Sequence, residues 1–222
     1  MIKSGKKLLG LILPIFFVIF VAGCGNEKVS TEKNSTEKIF ATEVADEKVS
    51  GKKILVAYFS RADENYQVGV IEKGNTKIIA EMIAEKLGAD IFEIKPAKNY
   101  PAHYEECTEL AKTEKENNER PEIIGRVENF NQYDVIFLGY PIWWGDLPMA
   151  VYTFLEQEDF SEKIITPFCT HEGSGLSGTE DFISKKTGAK VLQGLSIKGT
   201  VAQNERDTAK NEVESWLKKL NF

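Results

Sequence analysis

The stretch DVIFLGYPIWWGDLP, Asp134 to Pro148, joins two kinds of sequence. From Val135 to Tyr140 it has no polar side chain. A strand with one wet face alternates apolar and polar residues, whereas an unbroken apolar run suits a strand buried on both faces. The run stops at Pro141, and two indoles, Trp143 and Trp144, follow beside Gly145 and ahead of Pro148. Large rings are core residues by habit, yet Pro and Gly mark this segment as loop. The stretch therefore reads as a buried strand that delivers aromatic surface to a loop.

The same grammar extends outward in both directions. Ile54 to Phe59 is a second unbroken apolar run. Asn75 to Leu87 is helical, with Ile78, Ile79, Met82, Ile83 and Leu87 on one stripe and Gly88 placed to end it. Asp90–Ile94 reads as a strand and Tyr104–Asn118 as a polar helix. After the strand Asp134–Tyr140, a helix starts at Met149, a strand covers Ile164–Thr170 with Pro167 as its weak point, and a helix covers Gly178–Lys186. A fifth strand spans Lys190–Leu195, and Ala209, Val213, Trp216, Leu217 and Leu220 stripe a last helix. Strands alternating with helices predict an α/β fold: a doubly wound parallel sheet with helices on both faces. Ligands of such sheets bind at the carboxyl ends of the strands, which narrows attention to three loops.

The loop after Phe59 runs from Ser60 to a helix start at Gly74-Asn75-Thr76. The first N–H groups of a helix lack partners and seat anions, and Ser60, Asn75 and Thr76 add polar side chains. Asn75 or Thr76 as a plain N-cap is the alternative. Neither a GxGxxG fingerprint nor a P-loop is present. The loop after Tyr140, with Pro141, Ile142, Trp143, Trp144 and Gly145, suits a flat conjugated ligand; packing of an indole onto the next helix is the alternative. The loop Thr170–Thr179 holds Gly173, Ser174 and Gly175, which let backbone approach a ligand closely or merely make a flexible turn. Together the loops describe a phosphate seat, an aromatic wall and a glycine-rich clamp.

The N-terminus is of another kind. Lys3, Lys6 and Lys7 precede an apolar run, Leu8–Ala22, that is short for a membrane span and ends in Val21-Ala22-Gly23-Cys24. Residues 1–23 read as an export signal, with an uncleaved anchor as the alternative. Small residues before a cysteine resemble the bacterial lipobox, which implies cleavage before Cys24, lipidation of its sulfur and an extracytoplasmic, membrane-attached protein. Residues 24–51, rich in Glu, Lys, Ser and Thr, then form a tether, and 52–222 one domain. Cleavage removes three lysines and no acid, taking the net charge from −6 to −9. So acidic a chain disfavours nucleic acid. With Cys24 lipidated, Cys107 and Cys169 remain, too few for a disulfide framework, and with His103 and His171 as the only histidines no zinc pattern arises.

The segments YFSRADENY, GNTKIIAEMIAEKLGADIFEI, NYPAHYEE, YDVIFLGYPIWWGDLPMAVYTFLE and PFCTHEGSG together resemble the bacterial flavodoxin-like family, in a lipoprotein branch. The resemblance covers roughly Lys52 to Phe222. It implies a five-stranded sheet of order 2-1-3-4-5 and non-covalent FMN. It places the phosphate at Ser60, Asn75 and Thr76, and the flavin ring against Pro141–Gly145 and Thr170–Gly175. Residues 61–73 exceed a short flavodoxin loop; they would cover the phosphate or form a lip for substrate. Arg61 would pair with phosphate or with a surface acid. His171 reads as a surface loop residue, Tyr104 as a packing or ligand contact, and Glu105, Glu106 and Glu109 as a solvated helix face. No side chain is called on as nucleophile or base, and no metal site is expected. The function implied is electron transfer to an unidentified redox partner, or reduction of a small acceptor such as a quinone by an FMN-dependent oxidoreductase. A solute-binding lipoprotein and a flavin-free interaction module are the competing classes.

Overall fold

A computed structural model describes residues 51–222. The export signal and lipobox, and the tether apart from Gly51, lie outside the described residues. β1 (Ile54–Tyr58) is central, with β4 (Asp90–Glu93) on one side and β5 (Val135–Pro141) on the other, all parallel. β6 (Ile164–His171) follows β5, and β7 (Lys190–Val191) and β8 (Leu195–Lys198) both pair with β6. The path β4-β1-β5-β6-β7 is the 2-1-3-4-5 order, with its fifth strand in two pieces. β2 (Asp63–Asn65) and β3 (Gly69–Ile71) form a separate antiparallel hairpin.

Burial on both faces explains the unbroken apolar strands. Leu55, Ala57 and Phe59 join Ile136, Leu138 and Tyr140 in a core beneath α3 (Met149–Gln157) and α4 (Thr179–Thr187). The alternate residues Val56, Tyr58, Val135 and Phe137 belong to a second core. That core is closed by α1 (Asn75–Leu87), α5 (Gly199–Asn204) and α6 (Arg206–Lys219), through Ile78, Ile79, Ile83, Ala202, Val213 and Trp216. α2 (Tyr104–Glu116) buries Cys107, Ala111 and Glu114. Gly88 ends α1 in the left-handed conformation, its N–H on the Ala84 carbonyl. Gly139 lies under Phe168, whose ring an added Cβ would overlap, so this one break in the apolar run is a packing requirement.

The fifth strand departs from the expected Lys190–Leu195. Between the pairs Ile165–Val191 and Phe168–Leu195, β6 advances three residues and its partner four. The extra residue is a bulge opposite Pro167. Ile165 turns its carbonyl toward Leu192, whose N–H lies 2.9 Å away, and alternation puts the missing N–H of Pro167 on the same edge. The ladder could not close there, so Pro167 stays within β6 and the neighbour yields. Trp216 Nε1 donates to the Gln193 carbonyl at 3.0 Å, satisfying a group the bulge released.

Candidate functional site

The turn from β1 into α1 is built by a distant cap. Gly74 is the N-cap residue and brings no side chain. Instead Ser60 Oγ accepts the Lys77 N–H at 3.0 Å from the end of β1. Asn75 and Thr76 are thus the first helical residues rather than caps. Their N–H groups have no partner among the described residues. A Cβ on Gly74 would overlap Ser60 Oγ and the Arg61 carbonyl, so this close approach requires glycine. Thr76 is buried, its hydroxyl 2.8 Å from that of Thr170 at the end of β6. One hydroxyl donates to the other, leaving one proton of the pair to give elsewhere. Gln203 Nε2 holds Asn75 Oδ1 at 2.8 Å and fixes the amide.

The tryptophans separate by role. Trp143 and Asp146 exchange N–H to carbonyl hydrogen bonds, each 3.0 Å, across Trp144 and Gly145. Both central residues have positive φ, 51° at Trp144 and 74° at Gly145, the signature of a type I′ turn. Gly145 fits that conformation at no cost, while a bulky residue such as Trp144 does not. Trp143 is half-buried, edge-on to Phe59 at 5.2 Å and Tyr100 at 4.9 Å. Trp144 is 53% exposed. Its Nε1 donates to the Thr108 carbonyl of α2 at 2.9 Å, and Lys112 lies over its ring. Lys115 Nζ donates to its carbonyl at 2.7 Å. The strained indole is therefore clamped in place. Below it, Tyr100 donates to the buried Glu114 carboxylate at 2.7 Å. Burial pushes that carboxyl above the usual range.

The third loop is organised by a histidine. His171 Nδ1 accepts the N–H groups of Gly173 at 2.8 Å and Gly175 at 3.2 Å. Two donors aimed at one nitrogen leave no room for a proton there, and partial burial lowers the imidazole's pKa. His171 is thus the core of its loop, contrary to the surface reading. Glu172 is likewise engaged, accepting the Thr200 N–H at 2.7 Å.

The 61–73 segment forms the fourth side. Arg61 reaches backbone: its terminal nitrogens donate to the carbonyls of Glu64 at 2.5 Å and of Pro101 and Ala102 at 2.6 Å. Its Nε is buried without a partner. Glu64 accepts the Tyr104 N–H at 2.9 Å, capping α2, and that hydrogen bond is the largest cause holding its carboxyl low. The hairpin and the start of α2 are so bound together, and Tyr66 stacks on Tyr104 at 5.8 Å with 26° between the rings. The four sides enclose a cavity of about 280 Å³.

The flavodoxin family model matches residues 53–220. The chain belongs to the flavodoxin family. Two solved proteins of Bacteroides, assigned as flavoproteins, are similar to this chain. That of Bacteroides eggerthii is 27% identical over 77% of this chain and 99% of its own, with a TM-score of 0.62. That of Bacteroides uniformis is 28% identical over 74% and 99%, with a TM-score of 0.59. A Lactobacillus acidophilus flavoprotein solved in complex with FMN is 23% identical over 71% and 97%, with a TM-score of 0.52, and shares the fold. No curated protein matches the chain.

Within this flavodoxin the expected residues divide. Asn75, Pro141, Ile142, Trp143, Trp144 and Thr170 line the cavity. Ser60 and Thr76 support it from behind through their hydrogen bonds. Gly145 shapes the tryptophan turn; Gly173 and Gly175 wrap His171, and Ser174 sits between them, its carbonyl taking the Ser177 hydroxyl at 3.3 Å. Asn65 and Tyr66, from the expected 61–73 lip, and Glu172, within Thr170–Gly175, also line the cavity, while Cys107, Thr108 and Ala111 line it without having been expected. Tyr104, Cys107, Thr108 and Ala111 share one face of α2, and that spacing was the available signal; the glutamates around it hid it. Cys107 and Cys169 are free and buried, and burial pushes the Cys107 thiol up to about 11. Among the described residues no cluster of metal-ligating side chains occurs, and no helix is long and apolar enough to cross a membrane.

Proposed function

We propose that this flavodoxin binds FMN and serves in electron transfer. One observation carries the reading: a single cavity has unpartnered helix N–H groups and a spare hydroxyl proton at one end and two indoles at the other. That set fits a ligand with a phosphate and a flat ring, and Gly74 lets the β1–α1 turn that carries the N–H groups close against Ser60 and Arg61. FMN, when bound, supplies the redox chemistry, accepting and releasing electrons. The chain does the rest. The N–H groups of Asn75 and Thr76, with the Thr76–Thr170 hydroxyl pair, hold the phosphate. Trp144 presents an aromatic face, and Pro141, Ile142 and Trp143 exclude water behind it. His171 keeps the glycine loop in a fixed shape. The acidic balance, −6 for the full chain and −9 once residues 1–23 and their three lysines are removed, opposes added negative charge in the cavity and lowers the reduction potential.

The reading is tested by the absorbance of the full chain purified in detergent. A yellow protein with bands near those of free flavin, which releases FMN on heating, is the expected result. A colourless protein that cannot be reconstituted with FMN overturns it. The reading extends to place: Cys24 carries lipid, and the domain stands off the outer face of the membrane, exchanging electrons with a partner or a small acceptor. The lipobox pattern at Val21–Cys24 supports this. Cys24→Ser is expected to remain unprocessed or to leave the membrane fraction; unchanged processing and attachment would remove the lipid anchor.

A further inference from the structure

The tyrosines of this chain sort themselves by their hydroxyl groups. There are seven. Tyr58 bonds Glu93, Tyr100 bonds Glu114, Tyr133 bonds Asp90, Tyr140 bonds Thr179 and Tyr152 bonds Asp146. Only Tyr66 and Tyr104 have hydroxyls without a partner among the described residues. These same two stack on each other, and both line the cavity. Tyr66 is 54% exposed, an aromatic side chain held in water at the cavity mouth.

The pair is fixed rather than loose. Arg61 and Glu64 tie the hairpin to the 101–104 segment through backbone carbonyls and the Tyr104 N–H. Beside it lie Asn65, Cys107, Thr108 and Ala111; Glu64, Glu105 and Glu106 flank Tyr104, and the terminal nitrogens of Arg61 are spent on carbonyls. Burial raises the Tyr104 pKa, so its phenol stays a neutral donor. A planar aromatic face with two O–H donors suits an uncharged flat ring bearing carbonyl oxygens. The glutamates beside Tyr104 oppose a phosphorylated ligand there. A concave flank floored by Cys107 and Ala111 also takes a small molecule in preference to a protein surface.

We propose that Tyr66 and Tyr104 form a subsite for a planar aromatic carbonyl compound of the quinone class, at the open side of the cavity. The inference rests on the FMN reading, the subsite sharing the cavity and the helix α2 with Trp144. The site is tested by binding, not turnover. Equilibrium dialysis of water-soluble 2,3-dimethoxy-5-methyl-1,4-benzoquinone against the oxidised, FMN-loaded full chain reads its affinity directly, over a detergent blank. Tyr66→Ala is expected to weaken quinone binding at least tenfold while FMN affinity stays within twofold. Tyr66→Phe, which keeps the stack and loses one donor, is expected to weaken it about threefold. No saturable quinone binding by the wild type, or an unchanged affinity in Tyr66→Ala, overturns the subsite. Equal losses of quinone and FMN affinity also overturn it, since Tyr66 would then belong to the cofactor's own wall. Should the wild type bind no FMN, the flavin reading falls separately. The dialysis is then repeated without FMN, where a Tyr66-dependent affinity upholds the subsite and its absence overturns it.

Discussion

Trp143→Ala and Trp144→Ala are expected to fail in opposite ways. Trp143 is half-buried between Phe59 and Tyr100, so its removal opens a void in the core. The cost is about 3 kcal/mol, near the low end for a large aromatic because one side is already open. For a domain of this size that corresponds to roughly 10 °C in Tm. Trp144 is exposed and held in a backbone conformation that a bulky residue resists. Its truncation is expected to leave Tm within about 2 °C, as for surface changes of ~0.5 kcal/mol. FMN affinity should fall at least tenfold in Trp144→Ala, or about 1.4 kcal/mol. Thermal melts and FMN titrations of both variants check this. Unchanged FMN affinity in both removes the aromatic wall; a loss in Trp143→Ala alone reverses the assignment of the two rings.

Gly74→Ala is expected to have the largest effect on the phosphate seat. The new methyl would overlap Ser60 Oγ and the Arg61 backbone, and the second of these cannot rotate away. The β1–α1 turn must shift, at a stability cost of about 1–3 kcal/mol. The N–H groups of Asn75 and Thr76 would shift with it. FMN affinity should fall about a hundredfold, or ~2.7 kcal/mol, toward that of riboflavin, which lacks the phosphate. Titrating wild type and variant with both flavins separates the effects. A preference for FMN over riboflavin that survives the substitution would move the phosphate away from this turn.

The alternation of strands and helices was legible because physics wrote it twice, while the strand order came with the family resemblance. β1 and β5 are apolar throughout since helices cover both faces, and α1 and α6 carry single stripes since only one side of each is covered. Features that depend on pairing across the chain were not legible. The bulge at Gln193 exists because Pro167 lies opposite, and that neighbour is remote in sequence. Ser60 caps a helix seventeen residues away, and no local pattern announces it. The β2–β3 strands are three residues each, too short for alternation to register. Three of the cavity's sides were found from the loops after β1, β5 and β6. The lip at 61–73 was expected, but the α2 part of the fourth side was missed because that helix was read by Glu105, Glu106 and Glu109, while Cys107, Thr108 and Ala111 on its cavity face are small. His171 looked like an isolated loop histidine, since backbone donors leave no trace in composition.

The β2–β3 hairpin pairs only with itself and contributes nothing to the six-stranded sheet. Its hold on the domain includes Arg61 and Glu64, the carbonyls and N–H they bind, and the Tyr66–Tyr104 stack. The fold's stability and this wall of the cavity are thus encoded on separate stretches of chain. Residues 62–72 can change in length or character while both cores stay as they are. This architecture marks the hairpin as the place where a grafted segment would retune the cavity without refolding the domain.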